Sequence, residues 1–358
     1  MALIIDFYRL GLDHPAIDAW FRGIYQSFFA AIEDLGVSVT YSSKEPNRKA
    51  DVLVIPLGGG QDKSSAQAMQ LFSGPIILYA GAASQWFRKG FIERWHDRIL
   101  FVYGFDHSEF SPQMYGKLGI PYYCLIGASN PNIMQPLGLP RLYDVVFVGN
   151  AGSGAGRHKY VEPLMRAARS RRLMFIGPGW ERYGFPNQSI AWGSFLNIVY
   201  NLAQICINLS NDEEKMGLDK RLDANYRLFD LGMAGCFQIS NAPEVVRLYF
   251  DKSEVIAVDP PDEWVSAIMY YLDHPEETES FRVAVRKRAL SEHTWNHRAK
   301  RFINLIETHL PVWRKTHIES PSLKKVARLR DTMLPPYGIR EVMAKVKRRM
   351  NSIRKRLS

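Results

Sequence analysis

Near the middle of the chain, a glycine-rich loop separates a short apolar run from a helical pattern. The stretch "DVVFVGNAGSGAGR" places four glycines within eight residues, and Arg157 follows the last of them. Glycines let backbone N–H groups approach an oxyanion at the start of a helix, and an arginine adds a charge-assisted contact. We predict that this loop contacts a phosphate through five residues: Gly149, Asn150, Gly152, Gly154 and Arg157. The alternative is an ordinary strand-to-helix loop, because the spacing differs from the dinucleotide fingerprint.

A second candidate group lies on one predicted helix, in the sequence "NYRLFD". Arg227 and Asp230 are three residues apart, which places them on one face of that helix. An arginine there can stabilise negative charge on a bound group, and a carboxylate can accept hydrogen bonds from hydroxyl groups. We predict catalytic roles for Arg227 and Asp230 and a binding role for Asn225. The alternative is an i,i+3 salt bridge on a solvated face.

Two Asp–His pairs in the first part of the chain are candidate acid–base groups. "YRLGLDHP" follows the first predicted strand and contains Gly11, Asp13 and His14. "YGFDHSEF" places Asp106 and His107 at the end of a later strand, the edge at which α/β sheets bind ligands. We predict that Asp13 and His14 serve as acid–base groups and that Gly11 lets its loop approach a phosphate. The alternative is that His14, which precedes a proline, only begins a helix.

Strand and helix patterns alternate in both halves of the sequence. Short apolar runs such as "DVLVIPL" and "PIILYAG" are typical of parallel strands that are covered on both faces. A stretch with three prolines and no clear period, residues 129–141, separates the halves and is predicted to be a linker. The sequence therefore predicts two doubly wound α/β domains that face a cleft. The predicted boundaries are 1–130 for the first domain, 131–142 for the linker, 143–312 for the second domain and 313–358 for a tail.

The composition excludes several classes of protein. At 46% apolar and 12% aromatic residues, the chain can bury a large core and is not globally disordered. The N-terminal residues lack the basic start and long apolar stretch of a signal peptide, and no run approaches the length of a membrane span. The three cysteines have no metal-like spacing and are predicted to be buried, reduced thiols. These features predict a cytoplasmic location.

The positive charge of the protein is concentrated at its C-terminus. Residues 320–358 contain twelve lysines and arginines against two acidic residues, whereas the other 319 residues contain 34 of each sign. Apolar residues at 339, 343, 346, 350, 353 and 357 form one helical stripe, and basic residues fill the other face. Such a helix favours an anionic membrane surface. The alternatives are packing on the body, a short coiled coil or binding to nucleic acid, which the neutral body makes unlikely.

The residues from Asp144 to Leu310 resemble the glycosyltransferases of group 1 and, within them, the CgeB-like (spore maturation) proteins. Four motifs carry the resemblance by their order: "YDVVFVGN", "NYRLFDLGMAGCFQIS", "EVIAVDPPDEWVSAIMYYLDHPEE" and "HTWNHRAKRF". The second motif looks like the family's Asn-x-Arg-x-Phe-Glu helix and the strand after it. Asp230 stands where the family usually has glutamate. The resemblance covers roughly half of the chain and excludes the last 39 residues.

This resemblance implies a GT-B fold, in which two Rossmann-like domains face each other. It implies an acceptor on the first domain and a nucleotide sugar on the second, transfer without an obligatory metal or other cofactor, and a tendency toward retention. It further implies that Arg227 holds the diphosphate and Asp230 the ribose hydroxyls. The loop of "FIGPGW" is then expected near the nucleotide base, with Gly177 in the loop and Trp180 stacked on the base or packed at the domain edge. Asn208, at another strand end, is expected to contact sugar or phosphate.

The sequence therefore predicts a metal-independent hexosyltransferase that uses a UDP- or GDP-linked sugar. Its acceptor is predicted to be a hydroxyl of a glycan or lipid-linked glycan at the inner face of the cell membrane. One alternative is a glucosyltransferase that modifies DNA bases, which the neutral body disfavours. Another alternative is a non-catalytic protein of a surface structure that binds sugar nucleotides or glycans, which the Asp230 departure keeps open.

Overall fold

Two parallel β-sheets flanked by helices make up the protein in the computed structural model. The residues that the structure describes are 3–9, 19–57, 62–81, 89–107, 109–125, 127–151, 156–186, 193–210 and 224–318.

The first sheet is built from the N-terminal part of the chain. Its described strands and helices are, in chain order, β1 (Ile4–Tyr8), α1 (Ala19–Glu33), β2 (Ser38–Ser42), β3 (Val52–Pro56), α2 (Asp62–Leu71), β4 (Ile76–Gly81), α3 (Lys89–Trp95), β5 (Ile99–Gly104), α4 (Phe110–Gly116) and β6 (Tyr122–Cys124). The strands pair in parallel in the order β2-β1-β3-β4-β5-β6. The direction of strand addition reverses between β1 and β3, which is the switch point of this sheet.

The second sheet follows the linker. Its described elements are β7 (Tyr143–Val148), α5 (His158–Ala167), β8 (Leu173–Ile176), α6 (Gly193–Asn201), β9 (Ala203–Asn208), α7 (Tyr226–Met233), β10 (Gln238–Ser240), α8 (Pro243–Val246), β11 (Ile256–Ala257), α9 (Pro261–Asp273), α10 (Thr278–Glu292) and α11 (Trp295–Ile318). These strands also pair in parallel, in the order β11-β10-β9-β7-β8. The switch point of this sheet lies between β7 and β9.

Helices cover both faces of each sheet, which explains the apolar character of the strands. In β3, the residues from Val52 to Ile55 are all fully buried. Separate clusters of buried side chains line the two faces of the first sheet and the two faces of the second. The two doubly wound α/β domains predicted from the sequence are confirmed, and so is the alternation that defines them.

The last described helix packs on the first sheet, although its sequence follows the second domain. We expected a helix at 295–309 to close the second unit. Instead, α11 places Phe302 beside Phe7 and Phe101, with ring centroids 6.2 and 6.1 Å apart, and Trp295 beside Phe28 at 5.7 Å. The stripe of apolar residues on α11 is complementary to the aromatic face of the first sheet, so the chain crosses back to the first domain.

Two elements near the edge of the second sheet are shorter than predicted. The pattern "PEVVRLYF" predicts a two-turn helix, but α8 ends at Val246. The guanidinium of Arg247 donates hydrogen bonds to the carbonyls of Phe250 and Val255, at 3.0 and 2.9 Å. These bonds hold the chain in the turns that follow α8, where i→i−3 backbone hydrogen bonds replace the helical pattern. The predicted strand "EVIAVD" pairs over two residues, in keeping with the short edge strands of many sheets.

The predicted tail lies mostly outside the described residues. Helix α11 continues to Ile318, beyond the boundary predicted at 312. The basic segment 320–358 and its apolar stripe lie outside the described residues.

Candidate functional site

Arg227 lies at the carboxyl edge of the second sheet, on the first turn of α7. Its Nε donates to the carbonyl of Val148 at 2.7 Å, and Nη1 donates to Oδ1 of Asn208 at 3.1 Å and to the carbonyl of Leu209 at 3.3 Å. Val148 ends β7 and Asn208 ends β9. The guanidinium therefore bridges the two strands at the switch point of this sheet, where α/β folds bind ligands.

A second arginine, Arg157, joins Arg227 at this edge. It directly precedes α5, and its Nη1 donates to the backbone carbonyl of Asn150 and, at 2.7 Å, to the Asn150 Oδ1. Its Nη2 reaches the carbonyl of Leu209 at 3.5 Å. The ring of Phe147 lies under both guanidiniums, with its centroid 5.4 Å from Cζ of Arg157 and 4.5 Å from Cζ of Arg227. The structure thus brings together two residues that are seventy positions apart.

The two guanidiniums form a local excess of positive charge. Burial lowers the pKa of both, and the charge of Arg227 lowers the pKa of Arg157 further. Across the part of the chain that the structure describes, no carboxylate oxygen lies within 4.0 Å of either guanidinium. Carbonyls, an amide and an aromatic face hold the charges in place of carboxylates. Two preorganised cations of this kind are suited to bind a phosphate or diphosphate.

Gly149 and Gly177 allow the loops after β7 and β8 to approach closely. A Cβ on Gly149 would lie 2.5 Å from Nη2 of Arg227, and a Cβ on Gly177 would lie 2.3 Å from the carbonyl oxygen of Gly149. The N–H of Gly149 donates to the carbonyl of Ile176 at 2.8 Å. That N–H is therefore already used within the protein. The predicted phosphate contact of this residue is not made through its own amide, and its role is to leave room for Arg227.

Trp180 is buried and contacts the loop that follows β7. Its side chain is 1% exposed, and its indole N–H donates to the carbonyl of Gly149 at 2.6 Å. The ring packs against Phe147 and Phe175, with centroids 5.5 and 4.8 Å away. The expectation that Trp180 stacks on a bound base is wrong for this geometry, because the indole is enclosed in the core. The alternative of packing within the domain is the observed arrangement.

Two asparagines predicted to bind the donor hold Arg227 and its helix. Asn208 is 2% exposed and accepts the hydrogen bond from Arg227 described above. Asn225 is the N-cap of α7: its Oδ1 accepts from the N–H of Leu228 at 3.1 Å, and its Nδ2 donates to Ser210 Oγ at 3.4 Å. A capping asparagine fixes the start of a helix. Both residues therefore position Arg227, and their direct contact with a donor remains a prediction.

Asp230 faces the linker, away from the sheet edge. Its Oδ1 accepts a hydrogen bond of 2.7 Å from Ser129 Oγ. Burial raises the pKa of Asp230 to about 7, and the Ser129 hydrogen bond and the charge of Arg227 oppose this rise. Arg227 and Asp230 do not form the i,i+3 salt bridge, because no pair of their charged atoms approaches within 4.0 Å. The two side chains have different partners: Arg227 bonds the ends of β7 and β9, and Asp230 bonds Ser129.

A pocket of about 70 Å³ opens beside Asp230, between the two domains. Gly23 and Ser27 of α1 line it from the first domain, and Leu196 of α6 lines it from the second. Asn130 of the linker completes it and donates to Ser27 Oγ at 3.2 Å. A carboxylate at the wall of such a pocket can accept hydrogen bonds from hydroxyl groups of a ligand.

Several predicted site residues lie outside the described residues. They are Gly11, Asp13 and His14 of the first domain, and Gly152 and Gly154 of the glycine-rich loop. Their roles remain predictions.

The other histidines and aspartates considered from the sequence have structural roles. Asp106 is 3% exposed and accepts from the N–H and hydroxyl of Ser111, at 3.2 and 2.5 Å, so it anchors the start of α4. His107 packs against Tyr249 of the second domain, with centroids 5.1 Å apart. His293, in the motif "HTW", is 5% exposed and lies 3.2 Å from the Tyr249 carbonyl, so it packs within the second domain. An acid–base role for Asp106 is wrong, because its carboxylate is enclosed and already bonded.

None of the three cysteines, all of which the structure describes, forms a disulfide. Cys206 and Cys236 are buried, whereas Cys124 is only half-buried, contrary to the expectation for all three. Among the described residues, no group of His, Cys, Asp and Glu side chains is arranged to hold a metal ion.

Three residues at the site were missed by the sequence analysis. Phe147 was assigned to the strand as a core residue, and its position under the two arginines has no separate sequence signal. Tyr226 was overlooked although it lies inside the motif "NYRLFD"; it is 8% exposed and packs against Phe105 and Trp295, with centroids 5.5 and 6.1 Å away. Ser129 lies in the linker, which the pattern describes only as irregular.

Comparison with known families and structures supports the same architecture. Residues 157–304 match the model of a family described as glycosyl transferase-like. The matched range begins at Arg157 and includes Arg227 and Asp230. A search of curated proteins found no significant match.

Solved structures with low sequence identity share the fold over most of the chain. HepE of Anabaena, in complex with UDP and glucose, superimposes with a TM-score of 0.60 at 9% identity, covering 86% of this chain and 100% of that one. Sucrose-phosphate synthase of Thermosynechococcus elongatus gives a TM-score of 0.56 at 13% identity, covering 86% and 98%. An alpha-glucosyltransferase in complex with UDP-glucose and DNA containing an abasic site gives 0.58 at 10% identity, covering 86% and 99%.

The protein thus has the GT-B fold of two Rossmann-like domains. The family match over residues 157–304 and the shared fold of these neighbours agree with this architecture. Within the described ranges, no helix is both long enough and apolar enough to cross a membrane.

Proposed function

We propose that the protein is a hexosyltransferase that uses a nucleotide sugar, UDP- or GDP-linked, and belongs with the CgeB-like glycosyltransferases. The observation that carries this proposal is the pair Arg157 and Arg227 at the switch point of the second sheet. Two buried cations without a carboxylate partner among the described residues are suited to a bound anion of high charge density. The diphosphate of a nucleotide sugar is such an anion.

In this proposal, the second domain stabilises the leaving group. Breaking the bond between the sugar and the diphosphate builds negative charge on the diphosphate, and preorganised guanidiniums stabilise that charge. We propose that Arg227 and Arg157 supply this stabilisation, so that the reaction needs no metal ion. The glycine-rich loop, through Gly152 and Gly154, adds backbone N–H groups. Asp230 accepts hydrogen bonds from the ribose hydroxyls.

The acceptor is proposed to lie on the first domain, with its hydroxyl directed toward the sugar. Asp13 and His14 follow β1, which borders the switch point of the first sheet, and are proposed as acid–base groups. We favour transfer with retention, which the resemblance implies. The acceptor is a glycan or lipid-linked glycan, and the basic segment 320–358 holds the enzyme at the inner, anionic face of the cell membrane.

The first test is a nucleotide-release assay with UDP-, GDP-, ADP- and dTDP-linked sugars. We expect slow release from one donor by the wild type, and a roughly 10²–10³-fold lower rate for Arg227→Lys, because lysine keeps the charge but loses the fork of donors. The matched control is Arg98→Lys. Arg98 is also buried and also donates to backbone carbonyls, those of Met69 and Gly74, but it lies in the first domain.

The outcomes of this assay separate the enzyme from a binding protein. A rate lost in Arg227→Lys and kept in Arg98→Lys supports the proposal. If a nucleotide raises the melting temperature but no sugar is released even with candidate acceptors, the protein is a non-catalytic binder. If no nucleotide binds, the assignment of the arginine pair is wrong.

A second candidate function is glucosyl transfer to modified DNA bases. The observation that favours it is the fold shared with an alpha-glucosyltransferase bound to UDP-glucose and DNA. The charge balance of residues 1–319 opposes it, since the positive excess lies entirely in 320–358. Cosedimentation with anionic vesicles and binding to duplex DNA, each with and without residues 320–358, distinguish the two functions. Binding to DNA that survives the truncation would favour the second.

A further inference from the structure

Ser129 lies where the two chain segments that connect the domains run side by side. Its N–H donates to the carbonyl of His293 at 3.0 Å, and it pairs with Thr294 in an isolated parallel β-bridge. The linker carries the chain from the first domain to the second, and the segment at 293–295 carries it back into α11. Any change in the angle between the domains must pass through these two segments.

The hydroxyl of Ser129 connects this crossing to helix α7. Ser129 is 1% exposed, and its Oγ donates to Oδ1 of Asp230 at 2.7 Å. Asp230 lies one turn after Arg227, whose guanidinium is fixed to the ends of β7 and β9. On its first turn, α7 also buries Tyr226 among aromatic side chains of the first domain. One short helix therefore contacts the first domain, the linker and the anion site.

We propose that Ser129 is a positioning residue for donor binding. It fixes the positions of the Asp230 carboxylate and of the start of α7 relative to both connecting segments. The proposal rests on the proposed function, because it assigns the carboxylate of Asp230 to the hydroxyls of the donor. The second oxygen of the carboxylate, Oδ2, is then directed to the ligand while Oδ1 is held by Ser129.

The charged and titratable groups around Asp230 are few. Arg227 on α7 lowers the pKa of the carboxyl group. Tyr226 on α7 and Tyr200 on α6 are buried phenols whose own pKa values are raised well above 10, so they remain neutral in the range of interest. On α10, which packs against α7, Arg286 donates to the carbonyls of Met134 and Met233.

The Ser129 hydrogen bond favours the ionised form of Asp230, since a hydroxyl donor stabilises a carboxylate more than a carboxylic acid. Its removal leaves the burial of the carboxyl group in place and raises the pKa of Asp230 above its value of about 7. The ionised carboxylate only accepts hydrogen bonds, so it is the form that can accept from two hydroxyl groups of the nucleotide. Without Ser129, donor binding should therefore need a higher pH.

The test measures UDP and GDP binding by calorimetry between pH 6 and pH 9, on full-length wild type, Ser129→Ala and Ser129→Thr. For the nucleotide that the wild type binds, we expect Ser129→Ala to bind about fivefold more weakly at pH 7 and to recover most of the loss by pH 9, since a rise of one pKa unit lowers the ionised fraction at pH 7 from about one half to about one eleventh. Ser129→Thr keeps a hydroxyl and is expected to keep the wild-type pH profile.

A matched control is Ser111→Ala. Ser111 is another buried serine whose hydroxyl donates to a carboxylate, that of Asp106 at 2.5 Å, but it lies at α4 of the first domain. Its loss should lower the melting temperature without moving the pH profile of binding. Asp230→Asn is a second variant that does not depend on Ser129. It cannot titrate, and its affinity should vary little over this range.

Three results would overturn the inference. One is equal affinity of Ser129→Ala and wild type at every pH. Another is a loss that is the same at every pH, or that Ser111→Ala reproduces, because Ser129 would then have a general structural role. The third is a pH dependence that persists in Asp230→Asn. If the wild type itself binds neither nucleotide at any pH, the proposed function fails, and the inference fails with it.

Discussion

Arg157 and Arg227 present an arrangement that folding alone does not favour. Taking two like charges out of water costs several kcal/mol for each, and no carboxylate among the described residues offsets that cost. The carbonyls of Val148 and Leu209 and the ring of Phe147 hold the guanidiniums in fixed directions. The diphosphate proposed as the ligand would offset this cost, since it would meet two guanidiniums that are already held in place.

The first prediction concerns the stabilising effect of pyrophosphate. The proposed site predicts that pyrophosphate binds the native state through the arginine pair, so a concentration of 100 times Kd should stabilise the wild type by about 2.7 kcal/mol. Arg157→Met should lose most of this effect, because one of the two cations is gone. Thermal unfolding with and without pyrophosphate measures it. Arg247→Met is the control, since Arg247 bonds carbonyls away from the site; an equal loss there would contradict the prediction.

The second prediction concerns the pH dependence of stability. The pKa of Asp230 is about 7 in the native protein against an ordinary value of 3.8. Between these values the native state holds a proton that the unfolded chain releases, so the free energy of unfolding falls as the pH rises from about 4 to 7. Asp230→Asn removes this contribution and still accepts from Ser129. Above pH 7 we expect the variant to be more stable than wild type by about 1–3 kcal/mol, and below pH 4 to show no such gain.

Urea unfolding of both proteins at pH 5 and pH 8 checks the second prediction. A difference in stability that is the same at the two pH values would show that the carboxyl group of Asp230 does not titrate in this range.

At the residue scale, residue types and spacing identified the two arginines but not the direction of Asp230. Residues three apart on a helix differ by about 60° in direction and about 4.5 Å in height. That divergence is enough for Arg227 to reach the sheet edge while Asp230 reaches the linker. The tertiary structure determines which residues contact Arg227 and Asp230. Ser129 lies in a stretch of irregular sequence, so its contact with Asp230 could not be predicted without the structure.

At the scale of elements, α7 depends on its cap. Asn225 accepts the hydrogen bond from the Leu228 N–H that starts the helix. The third prediction is that Asn225→Ala destabilises the protein by about 1 kcal/mol, because a lost N-cap leaves an N–H without its acceptor. Donor binding should weaken as well, since the first turn carries Arg227. Asn225→Asp retains the cap and should restore the stability, as measured by urea unfolding; a similar loss in both variants would contradict the capping role.

The fourth prediction concerns the contact between the two loops of the second sheet. A side chain at Gly177 would lie 2.3 Å from the Gly149 carbonyl, whereas nothing lies within 4 Å of a Cβ at Gly184, although φ there is also positive, at 85°. Gly177→Ala should therefore cost roughly 2–4 kcal/mol and move the loop that carries Arg157. Gly184→Ala should cost about 1 kcal/mol from backbone strain alone. Equal costs in chemical denaturation would mean that the loops are not in contact.

Strands were the most predictable elements, because a strand buried on both faces reads as an uninterrupted apolar run. Runs such as "VLVIP" and "ICIN" need no partner to be recognised. Trp180 and α8 were harder. An aromatic residue after a strand can face a ligand or the core. Trp180 faces the core, because its ring packs against Phe147 and Phe175. Helix α8 is followed by tight turns, and Arg247 stabilises them by donating to carbonyls farther along the chain.

At the scale of the whole molecule, α11 ties the end of the described chain to its beginning. The helical period of residues 295–310 is evident in the sequence. An apolar stripe, however, does not indicate which surface of the protein it will pack against. The stripe contacts aromatic side chains of β1, α1 and β5, so the first domain is completed by a segment distant in sequence. The two doubly wound α/β domains were predictable from the order of elements, and this return of the chain to the first domain was not.

The fifth prediction tests the contribution of α11 to the first domain. Phe302 is fully buried against Phe7, Phe28 and Phe101. Phe302→Ala should destabilise the protein by about 3–5 kcal/mol through lost burial and a cavity. Val312, on the same helix, is 66% exposed, and Val312→Ala should change the stability by less than about 0.5 kcal/mol. Equal stabilities of the two variants in urea unfolding would show that α11 does not belong to the core of the first domain.

The path of α11 also sets the order in which the domains can mature during translation. The strands of the first sheet, β1 to β6, leave the ribosome first, yet the side chains that cover one of its faces arrive only with residues 295–310. The second sheet and its helices are contiguous in sequence, from β7 to α10, and can fold while the first domain still exposes an aromatic face. The N-terminal domain is therefore the last to finish, and a chaperone that binds nascent apolar surface would meet it during this interval.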